Sequence, residues 1–246
     1  MTKTRGNAMR MTIWGLSLSL VCVPAAFGAV SAAQKCEQDL STAAGKYQLC
    51  MDKEMGKYYG DRYASSYPRF VEKLGKCVGK YTGMWPRLVS RYAGAATACE
   101  GDRYADNGDG TFYDRLTRLT WEKKTDDNTI HDVDNVYSWS TGFPWQEDGT
   151  AFTVFLKNLN DSAFGGSNGW RCPSVRELAT LLEPAYPKCT VAPCTTVPGE
   201  TRTLSYRSSS TRAGDASEAW DVSFSNGYFL PDNKDSARYF RAVSGG

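Results

Sequence analysis

The stretch Arg103-Tyr104-Ala105-Asp106-Asn107-Gly108-Asp109-Gly110-Thr111-Phe112-Tyr113-Asp114 marks the point where the pattern of the chain changes from helical to extended. Its Asn-Gly and Asp-Gly pairs supply the positive φ angles of a tight turn, so the stretch predicts a β-hairpin. A third strand is predicted over Leu119–Glu122. An EF-hand loop centred on Gly110 would place Ala105 and Leu116 where calcium needs carboxylates. We therefore favour the turn.

The rest of the C-terminal region predicts two short helices among further strands. Thr150 is expected to cap the first helix, which ends at Asn160. Ser174 and Glu177 form an S-x-x-E capping box for the second, and Arg171 is expected to pair with a carboxylate, for which Glu177 is the candidate. Strands return over 219–224 and 239–243. The residues expected to be buried here are Trp121, Phe152, Phe155, Leu156, Leu159, Trp170, Leu178, Leu181, Leu182 and Trp220.

The region before the hairpin, residues 34–100, predicts helices because apolar residues recur in alternating steps of three and four. The pattern occurs three times, and Pro68 and Pro86 lie near the second and third starts. Its members are Leu40, Ala43, Tyr47, Cys50, Met51, Met55 and Tyr58, then Phe70, Leu74, Cys77 and Tyr81, then Trp85, Leu88, Tyr92, Ala96 and Cys99.

Four cysteines lie in this helical region. Cys36 and Cys50 would be about 21 Å apart on one straight helix, whereas a disulfide allows roughly 6 Å between Cα atoms. Each must therefore pair with a cysteine on another helix. Antiparallel packing favours the nested pairs Cys36–Cys99 and Cys50–Cys77, and leaves Cys36–Cys77 with Cys50–Cys99 as the alternative.

The first 33 residues have the pattern of a secretory signal peptide. Basic residues precede an apolar stretch over 11–23, which is too short to span a membrane, and small residues follow over 29–33. Export makes disulfides the expected state of the later cysteines. The short gap between Cys189 and Cys194 suits a third disulfide, which would leave Cys172 buried and unpaired; the alternative is that Cys172 pairs with one of these two.

Net charge divides the chain after the signal peptide into two predicted units. Residues 34–100 carry a net charge of +4 and residues 101–246 a net charge of −5. We therefore predict a signal peptide over 1–33, a disulfide-stapled helical hairpin over 34–100, and a mixed domain over 101–246. The surplus of cations on the helices is either a solvated face or a surface that docks on anionic cell-wall polymer, lipid or a partner.

An ordered set of short motifs runs from about Arg103 to Gly246. It consists of 106–111, Leu119-Thr120-Trp121-Glu122-Lys123-Lys124, His131-Asp132, Tyr137-Ser138-Trp139, Leu159-Asn160, Trp170-Arg171, Pro173, Glu177-Leu178, Ser208-Ser209-Ser210, Ala219-Trp220, Phe224, Gly227 and Arg241-Ala242-Val243. In this set the sequence resembles the Lcl C-terminal domain family of exported bacterial proteins. That family is named for a collagen-like adhesin and is related in fold to C-type lectins and formylglycine-generating enzymes.

The resemblance implies an α+β fold, namely a C-type-lectin-like domain of short antiparallel strands with two helices. Four positions depart from the family pattern. Arg118 stands where a turn glycine is usual, Gly169 where an Asp is common, Cys172 where Leu is typical, and Arg207 where a Trp usually precedes the serines. Formylglycine-generating enzymes use a cysteine-based site, but the apolar residue usual at position 172 favours a core role for Cys172.

One candidate site is an acidic cluster around His131. Its carboxylates could hold a divalent cation, calcium above all, through oxygen ligands, or could form an acid–base pair with the imidazole. The alternative is a polar loop whose Asp and Asn side chains bond their own backbone. The cluster consists of Asp126, Asp127, Asp132 and Asp134.

A second candidate site is aromatic. Trp139 and Trp145 lie in the irregular segment 138–149, where we expect exposed indoles that can stack on a sugar ring. His131 and Arg207 complete the set of candidate ligand-binding residues.

These observations predict an exported, non-catalytic binding or adhesion protein of the bacterial envelope, in the periplasm, at the cell surface or outside the cell. The resemblance implies a glycan, since the namesake domain recognises sulfated polysaccharide. A domain charge of −5 makes a neutral glycan, a cell-surface protein or a cation-bridged ligand equally suitable. We expect no nucleic-acid partner and no membrane span after signal cleavage. The alternatives are an enzyme-like periplasmic factor that uses Cys172 or His131, and a purely structural envelope component.

Overall fold

Three helices occupy the N-terminal part of the chain in the computed structural model, which describes residues 29–60 and 67–245. They are α1 (Ala32–Gly60), α2 (Tyr67–Thr82) and α3 (Trp85–Tyr92). The predicted apolar stripe of α1 is buried from Leu40 to Met55. Pro86 occupies the first turn of α3, where a missing N–H leaves no helical bond unmade. The predicted signal peptide lies outside the described residues up to position 28.

The disulfides follow the nested pattern, so the alternative pairing is wrong. Cys36 bonds to Cys99 and Cys50 to Cys77, with Cα–Cα distances of 6.0 and 5.8 Å. The predicted Cys189–Cys194 bridge is also present. Within the described residues Cys172 is the one free cysteine, and it is buried. The two nested bridges join α1 to α2 and to the end of the helical region.

A four-stranded sheet begins at the quoted stretch. The predicted hairpin pairs β1 (Tyr104–Asp106) with β2 (Thr111–Asp114), and the predicted third strand is β3 (Leu119–Glu122). The turn side chains bond their own loop, because Asp106 accepts from the Gly108 N–H and Asp109 from the Thr111 N–H. The last strand, β9 (Val243–Ser244), returns to pair with β3, and the order is β1-β2-β3-β9.

A five-stranded sheet holds the remaining strands, in the order β4 (Val136–Tyr137), β8 (Arg238–Tyr239), β5 (Ser205–Thr211), β6 (Glu218–Ser223) and β7 (Phe229–Asn233). The long pairs β5·β6 and β6·β7 are antiparallel, whereas β5 meets β8 through one parallel contact. Strand β6 is the most buried, with Trp220 and Val222 in the core.

Both predicted short helices are present. The first runs as a π-helical turn over Ala151–Leu156 that continues into α4 (Lys157–Asp161), one residue beyond the expected end. The expected Thr150 cap is wrong, because the Thr150 hydroxyl instead accepts from the Ser138 N–H. The second helix, α5 (Val175–Ala179), begins at the predicted capping box.

The helices and the sheets share one core. Phe70 of α2 lies 5.9 Å from Trp220 of β6, between ring centroids. The Tyr47 hydroxyl of α1 donates to the Arg176 carbonyl at 2.7 Å. The described residues from Ser31 onward form one compact unit. The predicted boundary between residues 100 and 101 therefore marks a change from helices to strands within that unit. The fold class is α+β, and none of the helices described over 29–60 and 67–245 is long and apolar enough to cross a membrane.

Candidate functional site

The segment between β4 and the π-helical turn is an ordered loop closed at its base. The Thr150 N–H donates to the Ser138 hydroxyl, and the Ser138 N–H donates back to Thr150 Oγ1 at 3.0 Å. Further out, the Asp148 carboxylate accepts from the Thr141 N–H and the Thr141 hydroxyl, both at 2.8 Å. Asp148 therefore has a pKa below its usual range, chiefly because of these bonds to Thr141. We call residues 141–149 the aromatic loop.

The aromatic loop presents two large rings. The Phe143 side chain is 89% exposed, the largest value among the exposed apolar side chains of the described residues. Trp145 is half-buried and has a left-handed φ of 66°. Its backbone N–H donates to the Gly142 carbonyl at 2.7 Å. A bulky residue rarely adopts this conformation, because its Cβ meets the backbone. The closed base therefore holds Trp145 in a strained position at the surface.

Trp139 does not belong to this surface, so its expected exposure is wrong. Its side chain is buried, with the Lys234 ammonium 4.0 Å from the ring centroid and the Phe152 ring edge-on at 5.3 Å. Both partners come from elsewhere in the chain, and together they cover the indole. Of the two candidate tryptophans, only Trp145 is available to a ligand.

A cleft of about 520 Å³ adjoins the loop and shares Glu147 with it. Phe152 and Trp170 contribute aromatic surface, and Arg171 is held by a two-pronged ion pair with Glu177 at 2.6 and 2.9 Å. The predicted Arg171–Glu177 pair is thus confirmed. The other lining residues are Leu156, Lys157, Asn160, Cys172 and Ser209. This mixture of aromatic and polar groups is typical of sites for small polar ligands.

The acidic cluster is a loop that bonds its own backbone. Asp126, Asp132 and Asp134 bring carboxylate oxygens within 4.8 Å of one another, but Asp127 is outside this group. Asp127 accepts instead from Thr129. The N–H groups of Asp134 and Asn128 hold the pKa of Asp132 below its usual range.

This donor set does not fit a calcium ion, which takes six to eight oxygen ligands. Both oxygens of Asp132 already accept backbone N–H groups. Asp134 forms an ion pair with Arg202. The polar-loop alternative therefore describes the cluster better than a cation site.

His131 pairs with a glutamate rather than with these aspartates. Its Nδ1 lies 2.9 Å from Glu122 Oε1, and its ring stacks on Phe164 at 4.2 Å. Burial opposes the charge on Glu122, but Lys124 at 3.0 Å and His131 outweigh it and hold the pKa of Glu122 low. Burial also lowers the pKa of Lys124, although Glu122 opposes that shift. Since the Glu122 carboxylate is fully buried, its interactions with Lys124 and His131 stabilise the core.

A family model described as the Lcl C-terminal domain matches residues 110–244, more than half of the chain. The chain belongs to the Lcl C-terminal domain family. No curated protein and no solved structure matches the sequence. The aromatic loop and its cleft lie inside the matched Lcl domain, whereas α1, α2 and α3 lie outside it.

Two of the family departures concern the backbone. Arg118 of the Lcl domain has a left-handed φ of 62°, so it adopts the conformation that suits a turn glycine and carries the expected strain. Gly169 has room for a side chain, because the nearest atom to a Cβ there is the Ser167 Oγ at 3.7 Å.

The other two departures are buried. Arg207 is fully buried, and its Nε lies 2.6 Å from Asp221 Oδ1, so its proposed role in ligand binding is wrong. Cys172 lies in the core with its Sγ 3.9 Å from the Arg207 carbonyl. Burial raises the pKa of the Cys172 thiol far above neutral pH, so the sulfur stays protonated and is a poor nucleophile.

Several residues of the aromatic loop and of the cleft were not among the sequence candidates. Phe143 and Glu147 lie beside the predicted Trp145, and the run Gly-Phe-Pro-Trp before Asp148-Gly149 is a recognisable turn signal. Arg171 was predicted as a structural partner of Glu177, and no local pattern indicates that its guanidinium also borders a cleft.

Proposed function

We propose that this chain is an exported, non-catalytic binding protein whose Lcl domain recognises a neutral glycan at the aromatic loop and the adjoining cleft. The observation that carries the proposal is the pairing of the 89% exposed Phe143 and the strained Trp145 with a cleft that shares Glu147. Sugar rings stack on flat aromatic faces, and polar side chains at the edge bond their hydroxyls.

Family membership supports the class of function. The resemblance of Lcl domains to C-type-lectin-like domains favours a recognition role, and we infer that the two sheets adopt that arrangement. The net charge of −5 over residues 101–246 disfavours a polyanion as ligand and favours a neutral glycan. The three disulfides support export, since such bridges persist in oxidising compartments.

A glycan array with the whole purified chain tests the proposal. The whole chain is needed because the helices share the core of the Lcl domain. We expect selective binding that a chelator leaves unchanged, because the acidic cluster does not fit calcium. Phe143→Ala and Trp145→Ala should each weaken binding about tenfold, the loss typical of an aromatic contact at the centre of an interface.

Val191→Ala is the matched control. Like Phe143, Val191 is an exposed apolar residue, with 78% of its surface accessible, but it lies in the Cys189–Cys194 loop. It should leave binding unchanged. Circular dichroism and the melting temperature show whether each variant is folded. A blank array from folded wild-type protein overturns the glycan proposal and favours a protein ligand. Binding that survives both loop substitutions overturns the assignment of the site.

A further inference from the structure

A groove of about 340 Å³ lies between α1, α2 and α3, outside the matched Lcl domain. We call it the helical groove. Its inner surface is apolar, with Ala43 and Tyr47 from α1, Tyr81 from α2, Leu88 from α3 and the Cys50–Cys77 disulfide. These four side chains are at most 8% exposed, so each offers the groove only the part of its surface that packing leaves uncovered.

The tyrosines of the helical groove offer it no free hydroxyl. Tyr47 donates to the Arg176 carbonyl at 2.7 Å, and Tyr81 donates to the Leu116 carbonyl at 3.2 Å. Their rings stack face to face with centroids 4.7 Å apart. Because both hydroxyls are used by backbone carbonyls, these rings act as apolar surface toward the groove.

Four cations stand around this apolar surface. Arg91 forms an ion pair with Asp39 at 2.6 Å, and Tyr92 also donates to that carboxylate. Lys46, Lys80 and Arg87 are exposed and, within the part of the chain that the structure describes, form no ion pair. The groove residues thus include one carboxylate, Asp39, and four cations, which leaves the groove with a net charge of +3.

We propose that the helical groove binds an anionic amphiphile with one acyl chain. The chain would lie on the apolar surface, and the headgroup would meet Lys46, Lys80 and Arg87. The volume is within the range of small-molecule sites. A carboxylate or a phosphate headgroup has the required charge, so a free fatty acid and a lipid phosphate are both suitable sources.

Calorimetric titration of the whole chain with soluble amphiphiles tests this proposal. Octanoate, decanoate and decyl phosphate, each below its micelle concentration, are compared with the neutral 1-decanol. Each buried methylene should strengthen binding about fourfold, so decanoate should bind more tightly than octanoate. Because the ionised headgroup of decanoate can bond to the cations of the groove, decanoate should bind at least about tenfold more tightly than decanol. The ratio of decanoate to decyl phosphate distinguishes the two lipid sources.

Two variants locate the site. Lys46→Gln/Lys80→Gln/Arg87→Gln should abolish the preference for decanoate over decanol while decanol still binds. Thr42→Trp, at an exposed position that lines the groove, should weaken both ligands by occupying the space. The control Lys35→Gln/Lys53→Gln/Lys188→Gln removes three exposed lysines elsewhere and should keep the preference.

Three results would overturn the proposal. They are no binding of any of the amphiphiles by the folded protein, equal binding of decanoate and decanol by the wild type, or loss of the preference for decanoate over decanol in both triple variants. The last result would indicate attraction by net charge alone. Because the helical groove is separate from the aromatic loop, none of these outcomes affects the glycan proposal.

Discussion

Two glycines on α2 should respond in opposite directions to the same substitution. Gly75 packs against the loop that carries Tyr186, and a Cβ added at Gly75 would lie 2.0 Å from the Tyr186 carbonyl oxygen and 2.8 Å from its carbon. Gly79 is one turn further along, and its Cβ would meet only the Ala185 Cβ at 3.9 Å, an ordinary contact.

The magnitudes follow from helix propensity and packing. Alanine inside a helix is about 1 kcal/mol more favourable than glycine, so Gly79→Ala should raise the free energy of unfolding by about that amount. At Gly75 the same gain applies, but a carbon normally stays about 3.3 Å from a carbonyl oxygen. The helix and the Tyr186 backbone must therefore separate by more than 1 Å. Overpacking of this kind costs about 3 kcal/mol, which leaves Gly75→Ala less stable by about 2 kcal/mol.

Urea denaturation with the disulfides intact measures both effects, together with the melting temperature. A change of 1 kcal/mol shifts the melting temperature of a domain of this size by roughly 2–4 °C. Gly75→Ala should therefore melt about 6 °C lower, and Gly79→Ala should melt slightly higher. Equal stabilisation by both substitutions would refute the close packing of α2 on the Tyr186 loop. It would also remove the strongest argument that the helices and the Lcl domain form one unit.

Two further predictions concern buried titratable groups. Cys172 should resist iodoacetamide at pH 8 in the folded protein and react fully in urea, because burial raises the pKa of its thiol; rapid labelling without urea would contradict this. The depressed pKa of Glu122 should stabilise the fold above the unfolded value of about 4.3, and this contribution should disappear as the pH falls further. Glu122→Gln should be less stable at pH 7 by about 3 kcal/mol, since Lys124 then lacks its partner, and its stability should fall less steeply in acid; an unchanged acid limb would contradict the ion pair.

The elements that the sequence predicted correctly depend on neighbours in the chain. The stripe from Leu40 to Met55 follows from helical periodicity, and the hairpin before Thr111 follows from its Asn-Gly and Asp-Gly pairs. The capping box of Ser174 and Glu177 needs only residues three apart. The nested disulfides were predictable because two helices linked by a short connection pack antiparallel, which orders the cysteines.

The errors concern residues whose partners are distant in sequence. Trp139 is covered by Lys234, which lies on a different part of the chain. Arg207 is held by Asp221 of the neighbouring strand. The hydroxyl of Thr150 bonds to Ser138 across the base of the aromatic loop rather than to the helix that follows it. No local pattern specifies such pairs, because they depend on which loops and strands the fold brings together.

Net charge misleads about the helices for a related physical reason. The charges of +4 and −5 suggested two separate units, yet ion pairs cross the division, between Arg118 and Glu37 and between Arg176 and Asp52. In both pairs the cation belongs to the acidic part of the chain and the carboxylate to the basic part, which is the reverse of what net charge predicts. These pairs use carboxylates of α1 that would otherwise offset its lysines. The shared core thus leaves a local excess of positive charge on the helices, and the helical groove lies within it.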